Sequence, residues 1–264
     1  MLASNAVTNA IVNLLKRDFG FHTAEIVPLS KGTHWVSIPL KATSQVDGSN
    51  HVLFAKLVND EGARIHREIT AGKNTRFTRH NILDLSFEES DSPYAILTDE
   101  ARFLHDCKRA RIFVPQPLGV YQLTTSAVLL MEFVEGVPLE LINLEEINLV
   151  AIFKIVKQLR THRLVHGDLR RDNFLLTAGG EGCLIDYLRL AGSVERAMSY
   201  DLMSAICHLS LSVAPAVVLE VASRFFSAAE LEEALPFLHF ITRRLTHRDR
   251  DIIFQTISAF NEWH

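Results

Sequence analysis

The stretch Leu164-Val165-His166-Gly167-Asp168-Leu169-Arg170-Arg171-Asp172-Asn173, running into Phe174-Leu175-Leu176 and then Leu184-Ile185-Asp186, decides how the rest of the chain is read. Phe174 to Thr177 and Cys183 to Ile185 are short apolar runs of strand character. Between them, Ala178-Gly179-Gly180-Glu181-Gly182 is glycine-rich enough to reverse the chain. A hairpin returns to the end where it began, so Asn173 at its entrance and Asp186 at its exit are expected side by side. Asp168, five residues before Asn173, reaches the same place from the intervening loop. Two carboxylates and an amide oxygen converging there form a hard-oxygen site of the sort Mg²⁺ takes when it also holds phosphates.

That spacing is the spacing of a kinase catalytic loop, in which an Asp orients the acceptor hydroxyl and an Asn five residues later binds metal. On these residues the chain resembles the eukaryotic-like kinase superfamily, and in particular its small bacterial members with HGD in place of HRD. Leu164 to Asn173 and the tail from Asp186 to Asp201 look most like the lipopolysaccharide core heptose kinases. The resemblance implies an α+β, two-lobed protein-kinase-like fold with a small antiparallel-sheet N-lobe (1–132) and a mainly helical C-lobe (133–264). It also implies ATP and Mg²⁺ as cofactors. Asp168 would orient the acceptor hydroxyl and take up its proton, with Asn173 and Asp186 as metal ligands. Arg170 would be the cation that neutralises the transferring phosphoryl group.

The amino-terminal part opens with a helix over Asn5 to Arg17, with Ile11, Leu14 and Leu15 on one side. Strand-like runs follow near Thr23–Leu29, Trp35–Leu40 and Val52–Val58, with Asp47-Gly48 in the connection between the last two. In Val52-Leu53-Phe54-Ala55-Lys56-Leu57-Val58, alternation puts Lys56 on the face of Val52, Phe54 and Val58. An ammonium among apolar neighbours needs a carboxylate or phosphate partner, because leaving it desolvated and unpaired is costly, unless the strand lies at an edge and the lysine snorkels into water. The resemblance makes it the phosphate-gripping lysine, held by a helix-borne Glu. Glu68, in a helical stretch from Glu61 to Gly72, and Glu100, in Asp99 to Ala110, are the two candidates. Glu100 is preferred, because its stretch has an acidic start, a basic end and a proline-containing strand entrance at Ile112-Phe113-Val114-Pro115. Residues 61–92 then form an insertion whose Arg64, Arg67, Lys73, Arg76 and Arg79 are available to an anionic acceptor or, each taken singly, belong to a solvated helix face. Ser30, Gly32 and Thr33 stand where the phosphate-covering loop belongs, with a single glycine where protein kinases use several.

Ala127 to Gly136 is an apolar strand ending in an acidic break. In the resemblance it is the segment between lobes, and the backbone of Glu132, Phe133 and Val134 would meet the adenine edge. Asn143 with Glu146 three residues on reads as a capping box for a buried helix from Leu144 to His162. His166 and Gly167 are expected to be structural. Asp186 is followed by Tyr187-Leu188 instead of Phe-Gly, which removes the glycine on which a flip of that Asp depends. Only fourteen residues separate Asp186 from Asp201. That is too short for a conventional activation segment, so a regulated peptide kinase is disfavoured. Asp201 reads as an acid that braces the catalytic-loop backbone, or as a helix N-cap.

Composition agrees with a soluble protein: 264 residues, 48% apolar, 22% charged. A formal net charge of −4 argues against nucleic acid as partner. Cys107, Cys183 and Cys207 are too few and too scattered for a disulfide or zinc framework, which fits a reducing compartment. Residues 1–20 lack the apolar run of a signal peptide. The uncharged stretch Leu202 to Leu219 approaches membrane-spanning length, but Ser204, His208, Ser210 and Ser212 interrupt it and Pro215 divides it, which favours a buried helix of the carboxy-terminal lobe. A basic cluster, Arg243, Arg244, His247, Arg248 and Arg250, suits anionic headgroups.

The expectation is thus an ATP-dependent kinase acting on a sugar hydroxyl, by resemblance a heptose of the lipopolysaccharide inner core. Its partners would be ATP and an anionic glycolipid or sugar acceptor. It would be cytoplasmic, with peripheral contact at the inner membrane. The alternatives are a protein or small-molecule kinase of the Bud32, RIO or aminoglycoside-phosphotransferase type, and a nucleotide-binding pseudokinase serving as an interaction module.

Overall fold

A computed structural model describes residues 5–21, 25–29, 38–46, 49–241 and 246–262. Ser30, Gly32, Thr33, Trp35, Asp47-Gly48, Arg243 and Arg244 lie outside the described residues. The chain divides into two compact units. The first comprises Met1–Ala71, Glu89–His105 and Pro115–Val134, and the second Gly72–Glu88, Asp106–Val114 and Glu135–His264.

The first unit is built on a five-stranded antiparallel sheet. Its strands are β1 (Glu25–Pro28), β2 (Ile38–Val46), β3 (Ser49–Asn59), β5 (Pro117–Gln122) and β6 (Ser126–Glu132), in spatial order β1-β2-β3-β6-β5. Helix α1 (Asn5–Phe19) covers one face with Ile11, Leu14 and Leu15, the i, i+3, i+4 spacing of a single helical stripe. Every second residue of the sheet meets it: Leu40 and Ala42 of β2, Ala55 and Leu57 of β3, Val128 and Leu130 of β6. The residues between them, Lys56 and Leu129, pair across the ladder and belong to the other face. β6 is buried from Ser126 through Met131, so its near-continuous apolar run reflects cover on both faces.

Two helices contribute to both units: α2 (Asp60–Arg79) and α3 (Pro93–Arg109). Helix α3 starts earlier than the sequence reading placed it. Pro93 occupies its first turn and the Ser92 hydroxyl accepts from the Ala95 N–H at 3.3 Å, a Ser-Pro start that was legible.

In the second unit, a short strand β4 (Leu85–Phe87) pairs antiparallel with β10 (Leu190–Gly192). β7 (Val137–Pro138), β8 (Phe174–Leu176) and β9 (Gly182–Leu184) form a separate three-stranded sheet. The remainder is helical: α4 (Glu146–Thr161), α5 (Val194–Leu209), α6 (Pro215–Ser223), α7 (Ala228–Ala234), α8 (Leu238–Ile241) and α9 (His247–Glu262). The architecture is α+β with an antiparallel sheet first and helices after, as the sequence led us to expect.

Two details depart from what the sequence suggests. The box that opens α4 lies two residues later than expected. Glu145 is its N-cap, and the Asn148 side chain accepts the Glu145 N–H at 2.8 Å. Ile147, expected to be buried, is largely exposed. The uncharged stretch from Leu202 to Leu219 is divided as its proline suggests: α5 ends at Leu209, and Pro215 begins α6, where a missing N–H costs nothing. Among the described residues, no helix is long and apolar enough to cross a membrane.

Candidate active site

In the first unit, Lys56 rises from β3 to meet Glu100 on α3. Its ammonium donates to both carboxylate oxygens, at 2.7 and 2.9 Å. The two side chains are only 11% and 4% exposed, so the pair is largely withdrawn from water. Glu68, the other candidate, is engaged with Arg64 on the exposed side of α2. Glu132, at the end of β6, donates its N–H to the Gln116 carbonyl at 2.9 Å and accepts the Gln116 N–H on its side chain. Of the three residues expected at the adenine edge, it is therefore the one whose N–H is already used. The Phe133 ring lies beneath the Lys41 ammonium, 4.7 Å from its centroid.

In the second unit, the hairpin of β8 and β9 pairs Phe174 with Leu184 and Leu176 with Gly182. One step beyond, the Ile185 N–H donates to the Asn173 carbonyl at 2.9 Å, which brings Asn173 and Asp186 to the same end of the hairpin. A short 3-10 turn, Arg171–Asn173, carries Asn173 there from the loop. Its amide nitrogen donates to the Asp168 carbonyl at 2.8 Å and to Asp168 Oδ2 at 3.2 Å. With the nitrogen so committed, the amide oxygen is the atom left for a cation. Asp168, Asn173 and Asp186 are therefore brought together as the sequence spacing suggested.

Their surroundings explain why the loop holds this shape. Asp201 sits within α5 and is not its N-cap; Ser193 caps that helix, accepting the Arg196 N–H. From there the Asp201 carboxylate accepts the N–H groups of His166 (2.6 Å) and Gly167 (2.9 Å). Burial pushes its carboxyl up to about 7, against the pull of those two donors. His166 is fully buried. Its Nδ1 accepts the Asp168 N–H at 3.3 Å, so Nε2 carries the proton and points at the Ile185 carbonyl, 3.3 Å away. Burial lowers its pKa, which keeps the ring neutral.

Gly167 has φ +78, and a Cβ there would lie 1.9 Å from the Leu188 carbonyl oxygen. Only glycine fits. Leu188 in turn donates its N–H to the His166 carbonyl at 3.1 Å. Asp186 itself adopts φ 64, a region Asp tolerates better than most residues, and accepts the Tyr187 N–H on Oδ1 at 3.0 Å. The segment after Asp186 is thus pinned to His166.

Both oxygens of Asp168 are engaged. Oδ2 faces Arg170 Nε at 3.0 Å as well as Asn173, and Oδ1 faces Lys73 Nζ at 3.1 Å. Burial would push this carboxyl up, but the Lys73 and Arg170 cations outweigh it and hold Asp168 well below the ordinary aspartate range. Arg170 also reaches Asp172 at 3.2 Å. Arg171 ties the loop to its neighbours, donating to the carbonyls of Leu139 (2.8 Å) and Ile142 (3.2 Å) and to Ser212.

The basic residues of the insertion divide between the helix surface and the site. Arg64 pairs with Glu61 and Glu68, Arg67 with Asp91, and Arg76 lies over the Phe240 ring, so these three have intramolecular partners. Lys73 is the member that enters the site. No sequence signal separates it from its neighbours. β4 was also missed: it pairs with β10 inside the short segment between Asp186 and Asp201, flanked by Glu88–Arg189 and Asp84–Arg196 ion pairs.

Among the described residues, no three His, Cys, Asp or Glu side chains converge as an all-protein metal cage. One carboxylate and one amide oxygen at a common hairpin end are the donor set of Mg²⁺ that takes its remaining ligands from phosphate and water. The residues present fit that ion.

Residues 73–198 match the RIO domain family model. In fold, the chain is similar to a crystal structure provisionally assigned as a fructosamine-3-kinase from Haemophilus somnus 129PT. That match has 11% identity and a TM-score of 0.50, and covers 95% of this chain and 96% of the other. No curated protein matches by sequence. The fold is therefore protein-kinase-like, and the RIO match spans just under half of the chain.

Proposed function

We propose that the protein transfers the γ-phosphoryl group of ATP to a sugar hydroxyl, with a heptose of the lipopolysaccharide inner core as acceptor. The observation that carries the phosphotransfer reading is the hairpin mouth, where Asn173 and Asp186 share one end and Asp168 is bonded to the Asn173 amide. Asp168 positions the acceptor hydroxyl, for which the neighbouring cations keep its carboxylate ionised, and receives the proton as the phosphoryl group transfers. Asn173 and Asp186 hold the metal, Lys56 with Glu100 grips phosphate, and the backbone of Phe133 and Val134 takes the adenine edge. Bound Mg²⁺·ATP supplies the phosphoryl group and neutralises its developing charge.

The heptose acceptor rests on the likeness of Leu164 to Asn173 and of Asp186 to Asp201 to the core heptose kinases. It would place the protein in the cytoplasm at the inner-membrane face. A second reading, a RIO-like protein kinase, is favoured by the family match over 73–198. Against it stands the segment after Asp186, short and paired with β4 where a peptide kinase places its activation segment.

The test uses the purified full chain with Mg²⁺ and ATP, with dephosphorylated core oligosaccharide or a generic protein substrate as acceptor. Phosphate on the sugar, lost in Asp168→Asn, is the expected outcome. Phosphate on protein alone would select the second reading. ATP binding with no transfer to either acceptor would leave a nucleotide-binding pseudokinase.

A further inference from the structure

The Asp168 carboxylate is held from two sides, and only one of them belongs to the catalytic loop. Arg170 and Asn173 take Oδ2 from within the loop. Lys73 takes Oδ1 from α2, 95 residues earlier in the chain. An arginine fork prefers to bind a carboxylate through both oxygens. With nothing on Oδ1, the Asp168 side chain would be free to turn about its last torsion and lie flat against Arg170. Both oxygens would then be spent on the guanidinium.

Lys73 opposes that collapse, and the fold holds it in place to do so. Its side chain is 15% exposed and its ammonium rests over the Phe87 ring, 4.6 Å from the centroid. Phe87 is fixed in turn: the Asn74 side chain bonds both its N–H (2.6 Å) and its carbonyl (2.9 Å). Phe87 also stacks on Phe77 at 5.2 Å and 3°. A carboxylate oxygen has two lone pairs, so Oδ1 can accept from Lys73 and still accept from an incoming hydroxyl.

We infer that Lys73 is a positioning residue of phosphoryl transfer: it draws Asp168 Oδ1 away from Arg170 and presents that oxygen to the acceptor hydroxyl. The inference rests on the phosphotransfer reading above. It gives the α2–β4 segment a function, which is to deliver this one cation to the catalytic carboxylate.

Because the acceptor is unidentified, the probe is slow transfer to water, read as ADP release from Mg²⁺·ATP by the full chain. Lys73→Met is expected to lower kcat by about 10- to 100-fold, with KM for ATP and binding of a fluorescent ATP analogue changed less than about threefold. Lys73→Arg, which keeps the charge and the ring contact, should recover most of the loss. A structural role would instead lower the melting temperature, weaken nucleotide binding and resist rescue by arginine, and that pattern would overturn the inference. So would full activity in Lys73→Met alongside a dead Asp168→Asn. If wild type and Asp168→Asn are equally inactive, the phosphotransfer reading itself fails and the inference falls with it.

Discussion

Replacing either partner of the Lys56–Glu100 pair should damage the protein twice, and the two kinds of damage can be separated. The ammonium contacts both Glu100 oxygens within 2.9 Å, and the side chains are 11% and 4% exposed. Removing one partner of such a pair leaves the other charge buried and unmatched, at a cost of about 3–5 kcal/mol. Lys56→Met strands a carboxylate that is the more buried of the two, so it belongs at the upper end of that range. Glu100→Met strands an ammonium with somewhat more access to water, at the lower end. The double variant removes both charges and fills the space with side chains of similar volume. Buried pairs replaced in this way are often neutral in stability, so the double variant should lie within about 1 kcal/mol of wild type. The coupling energy then exceeds about 5 kcal/mol, well beyond the range of ordinary neighbour effects. Urea unfolding followed by circular dichroism measures all four corners of the cycle. ADP release should be strongly reduced in all three variants, since the regained stability does not restore a cation for phosphate. Additive losses in the double variant would refute the buried-pair argument. Wild-type turnover in Lys56→Met would refute the assignment of the lysine.

Gly167→Ala should destabilise by at least about 2 kcal/mol, from left-handed strain at φ +78 together with a Cβ placed 1.9 Å from the Leu188 oxygen; an unchanged urea midpoint would contradict this. Phe77→Ala, which empties a fully buried position stacked 4.3 Å from Phe240 and 5.2 Å from Phe87, should cost about 3–5 kcal/mol in the same assay. A loss below about 1 kcal/mol would show that the aromatic cluster does not anchor the end of α2. Asp201 gives a pH signature. Its folded pKa, pushed up by burial to about 7, lies above the ordinary 3.8, so the folded state holds the proton more tightly than the unfolded state. Its contribution is therefore fully present below about pH 4 and is lost as pH rises through about 7, with an upper bound of about 4 kcal/mol. Comparing pH–stability curves of wild type and Asp201→Asn should isolate that fall, and curves that run parallel would sink the assignment.

What the sequence made legible follows from the kind of constraint each residue carries. The hairpin mouth was readable because its parts are close in sequence: two apolar runs, a glycine-rich reversal and fixed offsets bring Asn173 and Asp186 together with little help from elsewhere. The start of α3 was also readable, since Ser92-Pro93 is a cap followed by a residue with no N–H to lose, and the acidic turn at Asp99 misdirected the boundary. Distance along the chain is not in itself the obstacle. Lys56 and Glu100 are 44 residues apart, yet once the downstream loop marks a kinase-like chain, a lone ammonium inside an apolar strand calls for a carboxylate rather than for water. Lys73 makes no such announcement. It lies on a helix that also carries Arg64, Arg67, Arg76 and Arg79, where a cation can always be satisfied by water, and nothing in the pattern shows that this position faces inward. β4 is silent for a related reason: three residues are too few to establish alternation, and its pairing with β10 is fixed by the aromatic packing of Phe77, Phe87 and Tyr200. A buried charge in an apolar setting is a debt visible from sequence, whereas the same charge in a polar setting shows its role only once the packing around it is known.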